Sequence, residues 1–451
     1  MSINPADSQI FGTLYGTDEI RALFSDHTHL QFMLDVEAAL ARAESALGLV
    51  PAPVADAISR ACRVENLQLD YIADSTRRVG YPVVALVKEL GRVAGDEAAR
   101  WIHLGATTQD ILDTALVLQL KRAFALVRRD LLALARSLAD RAARFRDTPM
   151  AARTHLQHAV PTTFGLKCAV WASPLVAHLE RLDQAAPRIL VVQFGGAAGT
   201  LAALGANGNA VVEALARELA LGVPDLPWHA QRDGFAEASA LFGLICGSLS
   251  KFALDVTLMM QTEVSEVSEP HAEGRGGSST MPQKRNPIAS EYILAATRAV
   301  HALVPVMFGS MTADHERGTG PWQSESLALP QCVALCAGAL AHARSIADGM
   351  TVDTVRMRRN LDMTGGLIMA EAIATELAAS IGRADAEAAV ARACDRSLAK
   401  GVPLATVLRN DPELRPNFTD AQIDRLTNPA SYLGSAGAFV DRIVARIAAL
   451  S

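Results

Sequence analysis

From Thr107 to Asp147 the chain contains neither glycine nor proline. Within that run Ile111, Leu112, Ala115, Leu116, Leu118, Leu120, Phe124, Val127, Leu131, Leu134 and Leu138 form an apolar stripe at helical spacing. One helix of about forty residues would extend ~60 Å. No small domain is that wide, so such a helix must lie against other long helices or other subunits. Two further stretches, about 162–184 and 230–268, read the same way. The second has no proline, and its glycines (Gly234, Gly243, Gly247) are tolerated at about 1 kcal/mol each. The chain is therefore expected to be all-α, with a central bundle of very long helices. Half of the residues are hydrophobic but only 5% are aromatic, which favours helix over sheet.

At 451 residues the chain is too long for one core. Three helical domains are expected: residues 1–106, the central bundle 107–350, and 351–451. In the first, helices are predicted over about 29–47, 53–62, 70–78 and 83–93. Gly48 and Pro51 end the first of these, and Tyr81-Pro82 separates the last two. Beyond 287, helices are predicted over about 287–311, with Pro305 as a kink, and 324–350. Shorter segments follow at 366–380, 384–399, 404–409, 420–426 and 436–450.

The net charge of −6 argues against a nucleic-acid or anionic-membrane partner. No uninterrupted apolar run reaches the ~20 residues that a bilayer requires. The N-terminus has neither a basic segment nor an apolar core, so a cytoplasmic location is expected. The six cysteines form no CxxC pair. Cys332 and Cys336 share a helical face with no Cys or His nearby in sequence, which reads as buried reduced thiols.

Four stretches interrupt the helices. Residues 274–287, GRGGSSTMPQKRNP, combine three glycines, hydroxyls and three cations, and Pro270 and Pro282 stop helix there. That composition suits a mobile cationic flap that closes over an anion. Residues 103–110, HLGATTQD, bend at Gly105 and enter the long helix, with Thr107 or Thr108 as its N-cap. A helix start there would present free N–H groups to a carboxylate. Residues 153–165, RTHLQHAVPTTFG, join two long helices, with Pro161 and Thr162 placed for a helix start. His155 and His158 lie three apart, but no carboxylate or third ligand is close, so no metal site is expected. Residues 193–208, QFGGAAGTLAALGANG, are glycine-rich without the strand that a dinucleotide fingerprint needs.

GSSTMPQKRNP resembles the signature loop of the fumarase/aspartase superfamily, GSSxMPxKxNP, at every fixed position. HLGATTQD is similar to the first site region of that family, HxGxTSxD, with Thr108 in place of serine. The segment around His158 resembles the second, H-x-Q-x-A-x-P-T. WHAQRD (228–233), the His315-Glu316-Arg317 triplet and the C-terminal NPASYLGSAG (428–437) have counterparts there as well.

The resemblance implies a fumarase/aspartase-like fold, a homotetramer whose sites each draw on three subunits, and a small tricarboxylate substrate. It implies no metal, nucleotide or redox cofactor. Ser278 is carried over as the proton-transfer residue, and His158 and Lys284 as its catalytic partners. His103, Thr107, Thr108, Gln157, Ser279, Asn286, Arg275, Arg285 and Arg317 are carried over for substrate binding, with Gln231 and Arg232 nearby. The chemistry implied is proton transfer beside a carboxylate, coupled to addition or loss of a group at the neighbouring carbon. The motifs leave open whether the substrate closes on itself or is cleaved as by adenylosuccinate lyases. A crystallin-like structural role stays open too, although the intact loop argues against it.

Overall fold

The computed structural model describes residues 3–271, 276–277, 281 and 283–450. The glycine- and proline-free run forms a single helix, Thr108–Arg144. Four more long helices follow: Phe164–Ile189, Asp233–Met260, Ile288–Gly309 with Pro305 inside it, and Pro321–Gly349. The fold is all-α apart from two small antiparallel strand pairs among the described residues, Pro149–Thr154 with Gln157–Thr163 and Val267–Ser268 with Thr351–Val352. The chain forms two compact units, and the boundaries between them fall inside the five long helices.

The first unit comprises Met1–Leu131, His178–Ser250 and Tyr292–Ala341. Its Asp26–Ala46 helix is capped by Ser25, whose side chain accepts from the Thr28 N–H. Ala39, Leu40 and Ala43 of that helix pack with Val192, Phe194, Leu204, Val211 and Leu215 in one apolar cluster. Arg232 lies buried in this unit between two carboxylates. Its Nη1 donates to Asp113 Oδ2 at 2.6 Å and its Nε to Glu325 Oε1 at 2.8 Å. The guanidinium carbon also sits 5.0 Å from the ring centroids of Trp228 and Phe235. Burial pushes Glu325 up to about 7 against the pull of Arg232. Arg232 therefore braces the start of the Asp233–Met260 helix. Cys336 hydrogen-bonds to Cys246, so the fold supplies a thiol neighbour that sequence spacing did not show.

The second unit comprises Leu132–Ala177, Lys251–Glu291 and His342–Ser451. Leu361, Ile373, Leu377, Val390, Leu404 and Leu408 lie in its C-terminal core. Trp171 packs edge-on to Phe164 and Phe252, and its Nε1 donates to Asp255 at 2.7 Å. Arg141 donates to the carbonyls of Asp348 and Met350, which satisfies acceptors at the end of the Pro321–Gly349 helix.

Two expectations are corrected in this unit. Pro161 and Thr162 do not open a helix; they belong to the Gln157–Thr163 strand. The helix starts at Phe164, with the Thr163 hydroxyl accepting from the Leu166 N–H. The helix expected to run to Ser268 stops at Met260. The Ser265 and Val264 N–H groups turn back to the Gln261 carbonyl, and Ser265 takes φ 50°, which breaks the helical path.

The run-length test for a bilayer span missed a property of the finished helices. Asp233–Met260, Ile288–Gly309 and Pro321–Gly349 are each long and apolar enough to cross a membrane by length and composition. Isolated polar residues such as Glu291, Arg298 and His301 break the run without erasing the mean hydropathy of Ile288–Gly309.

Glu37 and Glu44 lie buried on one face of the Asp26–Ala46 helix. Neither Glu44 oxygen has a hydrogen-bond partner among the described residues. Burial, reinforced by the Glu37 charge, pushes its carboxyl from 4.5 up to about 8. The folded state thus holds a proton that the unfolded chain has released, and stability falls as pH rises from about 4.5 to 8. Glu44→Gln keeps the shape and removes that loss. Its melting temperature should exceed that of the parent by more at pH 8.5 than at pH 5.5, as thermal unfolding monitored by circular dichroism will show. A pH-independent difference would contradict the assignment.

Candidate functional site

The turn that enters the long helix is built by left-handed backbone and one buried carboxylate. His103 has φ 65° and Gly105 has φ 68°, so the chain reverses over three residues. A left-handed histidine is uncommon, and such strain gathers where a side chain must be aimed. The Thr107 N–H then donates to Asp110 Oδ2 at 2.9 Å, which makes Thr107 the first cap position of the Thr108–Arg144 helix. Thr107 and Thr108 are half-buried.

Asp110 is fully buried and does more than cap. Its Oδ1 accepts from the Gly195 N–H at 2.9 Å and from His229 Nε2 at 2.6 Å. Its Oδ2 accepts from the Gly196 N–H at 3.0 Å. One carboxylate therefore joins the 103–110 turn, the glycine-rich 193–208 loop and the 228–233 segment. Gly195 cannot carry a side chain, because a Cβ there would lie 2.6 Å from Pro227 Cβ and 2.8 Å from His229 Cε1. Gln109 completes the frame. Its Nε2 donates to the His229 carbonyl at 3.0 Å, and its Oε1 accepts from Arg317 Nε at 3.0 Å. Arg317 also donates to the Ala197 carbonyl. The first unit thus brings His103, Thr107, Thr108 and Arg317 together around Gln109 and Asp110, two residues the motif reading did not single out. Arg232, in contrast, is spent on its buried ion pairs, and Gln231 is exposed.

In the second unit, Gln157 and His158 stand on the strand hairpin. His155 and Leu156 form its two-residue turn with φ 52° and 65°, the pairing that hairpin twist demands. His158 faces Arg153 in register across the hairpin. Arg153 makes a two-pronged pair with buried Glu266 at 2.8 and 2.9 Å, and Asn360 Nδ2 donates to the same carboxylate at 2.8 Å. His158 Nδ1 is buried with no partner among the described residues. Burial, and next the Arg153 cation, push His158 below its ordinary value, with Glu266 opposing. Gln157 is exposed.

The ends of the signature loop are tied within this unit. Buried Glu269 accepts from the Ala289 and Ser290 N–H groups at 3.0 and 2.8 Å and from the Ser290 hydroxyl at 2.7 Å. The carboxylate that precedes the loop thus caps the helix that follows it. Further in, the Asn286 N–H donates to the Gly276 carbonyl at 3.0 Å, and Gly277 bridges Arg285. Gly276 has φ 67°, and a Cβ there would lie 3.0 Å from the Asn286 carbonyl oxygen. Lys284 and Arg285 are exposed and Asn286 is half-buried. Ser278, Ser279 and Arg275 lie outside the described residues.

Comparison with known proteins settles the class. Residues 14–301 match the lyase family, and residues 366–443 match the adenylosuccinate lyase C-terminus family. The chain belongs to this lyase family, the fumarase/aspartase group that its loop resembles. Among its relatives, a protein of Pseudomonas aeruginosa named 3-carboxy-cis,cis-muconate cycloisomerase is 48% identical, covering 100% of this chain and 98% of that one. One of the same name from Pseudomonas putida is 45% identical over 92% of this chain and all of its own. The crystal structure of the 3-carboxy-cis,cis-muconate lactonizing enzyme from Pseudomonas putida superposes with a TM-score of 0.93. That structure is 44% identical, covering 98% of this chain and 99% of the other.

The Asp110 frame yields a direct test. Asp110→Asn keeps the volume but turns one of two acceptor oxygens into an NH2 group, which then opposes buried donors that the carboxylate accepts from. Stability should drop by about 3 kcal/mol or more, measured by denaturant unfolding. A loss below about 1 kcal/mol would mean that the loops hold together without it.

Proposed function

We propose that this protein interconverts 3-carboxy-cis,cis-muconate and 4-carboxymuconolactone in the breakdown of protocatechuate, an aromatic acid. The observation that carries the reading is the full-length likeness to proteins of that name, joined to an unbroken GSSTMPQKRNP. In the forward direction, one substrate carboxylate oxygen bonds to a carbon of its own double bond. The adjacent carbon takes up a proton, so the product is an isomer and no group leaves. Protonation passes through a carbanion held as an aci-carboxylate, with two negative charges on one carboxyl group. Donors aimed at that developing charge supply most of the rate. Lys284, Asn286 and the Thr107 and Thr108 hydroxyls are of the required type.

Ser278 transfers the proton. Its alkoxide is sustainable only where N–H groups and cations of the loop surround it. The attacking carboxylate is a nucleophile as it stands and requires neither base nor metal. Arg275, Arg285 and Arg317 provide local positive charge to a trianion that the net charge of −6 would repel. The electrostatics of His158 fit this reaction. Depressed by burial and Arg153, it favours a neutral ring, and a carboxylate that adds or departs takes no proton from it. A nucleotide-eliminating lyase asks its histidine to protonate a leaving group. The GTGPW stretch after His315-Glu316-Arg317 also departs from the serines usual in adenylosuccinate lyases.

We further propose a homotetramer in which each site uses three subunits. The Ile288–Gly309 helix is apolar, yet only 28% of its most apolar window is buried in the chain. Phe308, Leu327, Leu244 and Val170 are exposed on the long helices, and such surface calls for a partner. Sedimentation should show four chains at assay concentrations. An active monomer would refute the arrangement.

The assay is the loss of diene ultraviolet absorbance from 3-carboxy-cis,cis-muconate, run beside adenylosuccinate without added metal. Turnover of the muconate alone is expected; turnover of adenylosuccinate alone would overturn the reading. Ser278→Ala should lower kcat by about 10²–10⁴-fold with the substrate still bound. Lys284→Ala should harm both kcat and KM. His158→Asn should cost less than Ser278→Ala, and equal losses would give the histidine an acid–base role.

A further inference from the structure

The imidazole of His103 is held from behind. Its Nδ1 lies 2.7 Å from Glu37 Oε1, on a helix 66 residues earlier in the chain. The Glu37 side chain is 0% exposed and the His103 side chain 20% exposed. Among the described residues Nδ1–Glu37 is the ring's sole hydrogen bond, and the second Glu37 oxygen, also buried, has none. A buried carboxylate with an unused oxygen is costly, whereas the buried carboxylates of Asp110 and Asp113 in this unit use both oxygens. The left-handed backbone of His103 adds a second cost at the same residue. Two costs at one mostly buried ring indicate that its aim is worth more than local stability.

Resting on the muconate reading above, we infer that Glu37 is a positioning residue: it orients His103 and supplies the charge that makes the ring a receptor for a substrate carboxylate. The chemistry follows from the two nitrogens. A carboxylate at Nδ1 accepts, so Nδ1 carries a proton. Nε2 can donate to a substrate anion only if it carries one too, which requires the imidazolium. The groups around the ring favour that state. Burial alone would push His103 down. The hydrogen bond and charge of Glu37, with the charge of Asp110, outweigh burial and hold the ring above its ordinary value. Glu44, farther along the Glu37 helix, is raised to about 8 and so is uncharged at neutral pH. Its neutrality leaves the Glu37 charge to act on His103.

The experiment uses full-length protein with ¹³C-labelled histidine, the His103 signal being assigned through His103→Gln. In the parent, the ring should titrate above the ordinary value of about 6.5, and in Glu37→Gln the midpoint should fall by about one unit or more. Tricarballylate, a stable tricarboxylate, should bind the variant at pH 7 about tenfold or more weakly. KM for the muconate should rise by a like factor, with kcat changed less than about threefold. A parent midpoint at or below the ordinary value would overturn the proposal even if Glu37→Gln did not fold. So would an unchanged midpoint in the variant, or a lowered midpoint with undiminished tricarballylate binding. The titration needs no turnover, so a lowered midpoint and weaker binding would uphold the role of Glu37 if the muconate proved not to be the substrate.

Discussion

The first unit depends on what Asp110 accepts. Thr107, Gly195 and Gly196 offer backbone N–H groups that belong to no helix or strand, and His229 offers a ring nitrogen. Left unpaired in the interior, each would cost on the order of 1–3 kcal/mol. One carboxylate satisfies all four and in doing so fixes three loops to one helix start. Gly195 fits this frame because a Cβ there would run into Pro227 and into His229, the ring that Asp110 also holds.

The same device recurs at other junctions among the described residues. Glu269 closes the signature loop upon the helix after it, and Glu266 holds Arg153 and Asn360 beneath the hairpin. Asp113 and Glu325 hold Arg232. A core of alanine and leucine provides area but no acceptors, so the non-helical segments take theirs from acidic side chains that point inward. The cost is desolvation, and it shows at Glu325 and Glu44, whose carboxyls are pushed up to about 7 and 8. Glu325 recovers part of it through Arg232, whereas Glu44 recovers none.

Local signals made the helices legible, and contacts distant in sequence were not. The uninterrupted run 107–147 yields the Thr108–Arg144 helix because nothing in it can stop one. The hairpin at 149–163 escaped because its turn uses His155 and Leu156 where Asn-Gly would have announced it. The early end of the Asp233–Met260 helix escaped because Ser265 carries no special mark of a left-handed residue. At the site, motifs pointed to His103, Thr107 and Arg317, but not to Asp110 as a hub or Gln109 as a tether. Asp110 did stand in the matched pattern, so its signal was present without a role. Glu37 left a fainter trace, an acidic residue inside an apolar helical stretch; its partner, 66 positions on, is beyond any periodicity.

His103 and His158 show how environment divides labour between two like side chains. Glu37 and Asp110 act on His103 and raise it; burial and Arg153 act on His158 and lower it. Environments that push like groups apart assign them different tasks. A cationic ring can hold a carboxylate in ground and transition states alike, so its loss should appear mainly in KM. A neutral ring with an unpartnered Nδ1 holds no anion by charge, but it can accept or donate one hydrogen bond without moving a proton. In a lactonization the reacting oxygen arrives as an anion, and its proton inventory involves carbon alone. Such a reaction needs one proton-transfer group at carbon and anion receptors elsewhere. Under the reaction proposed above, the opposite settings of the two histidines suit that need, and the comparison of His158→Asn with Ser278→Ala decides whether His158 acts as an acid.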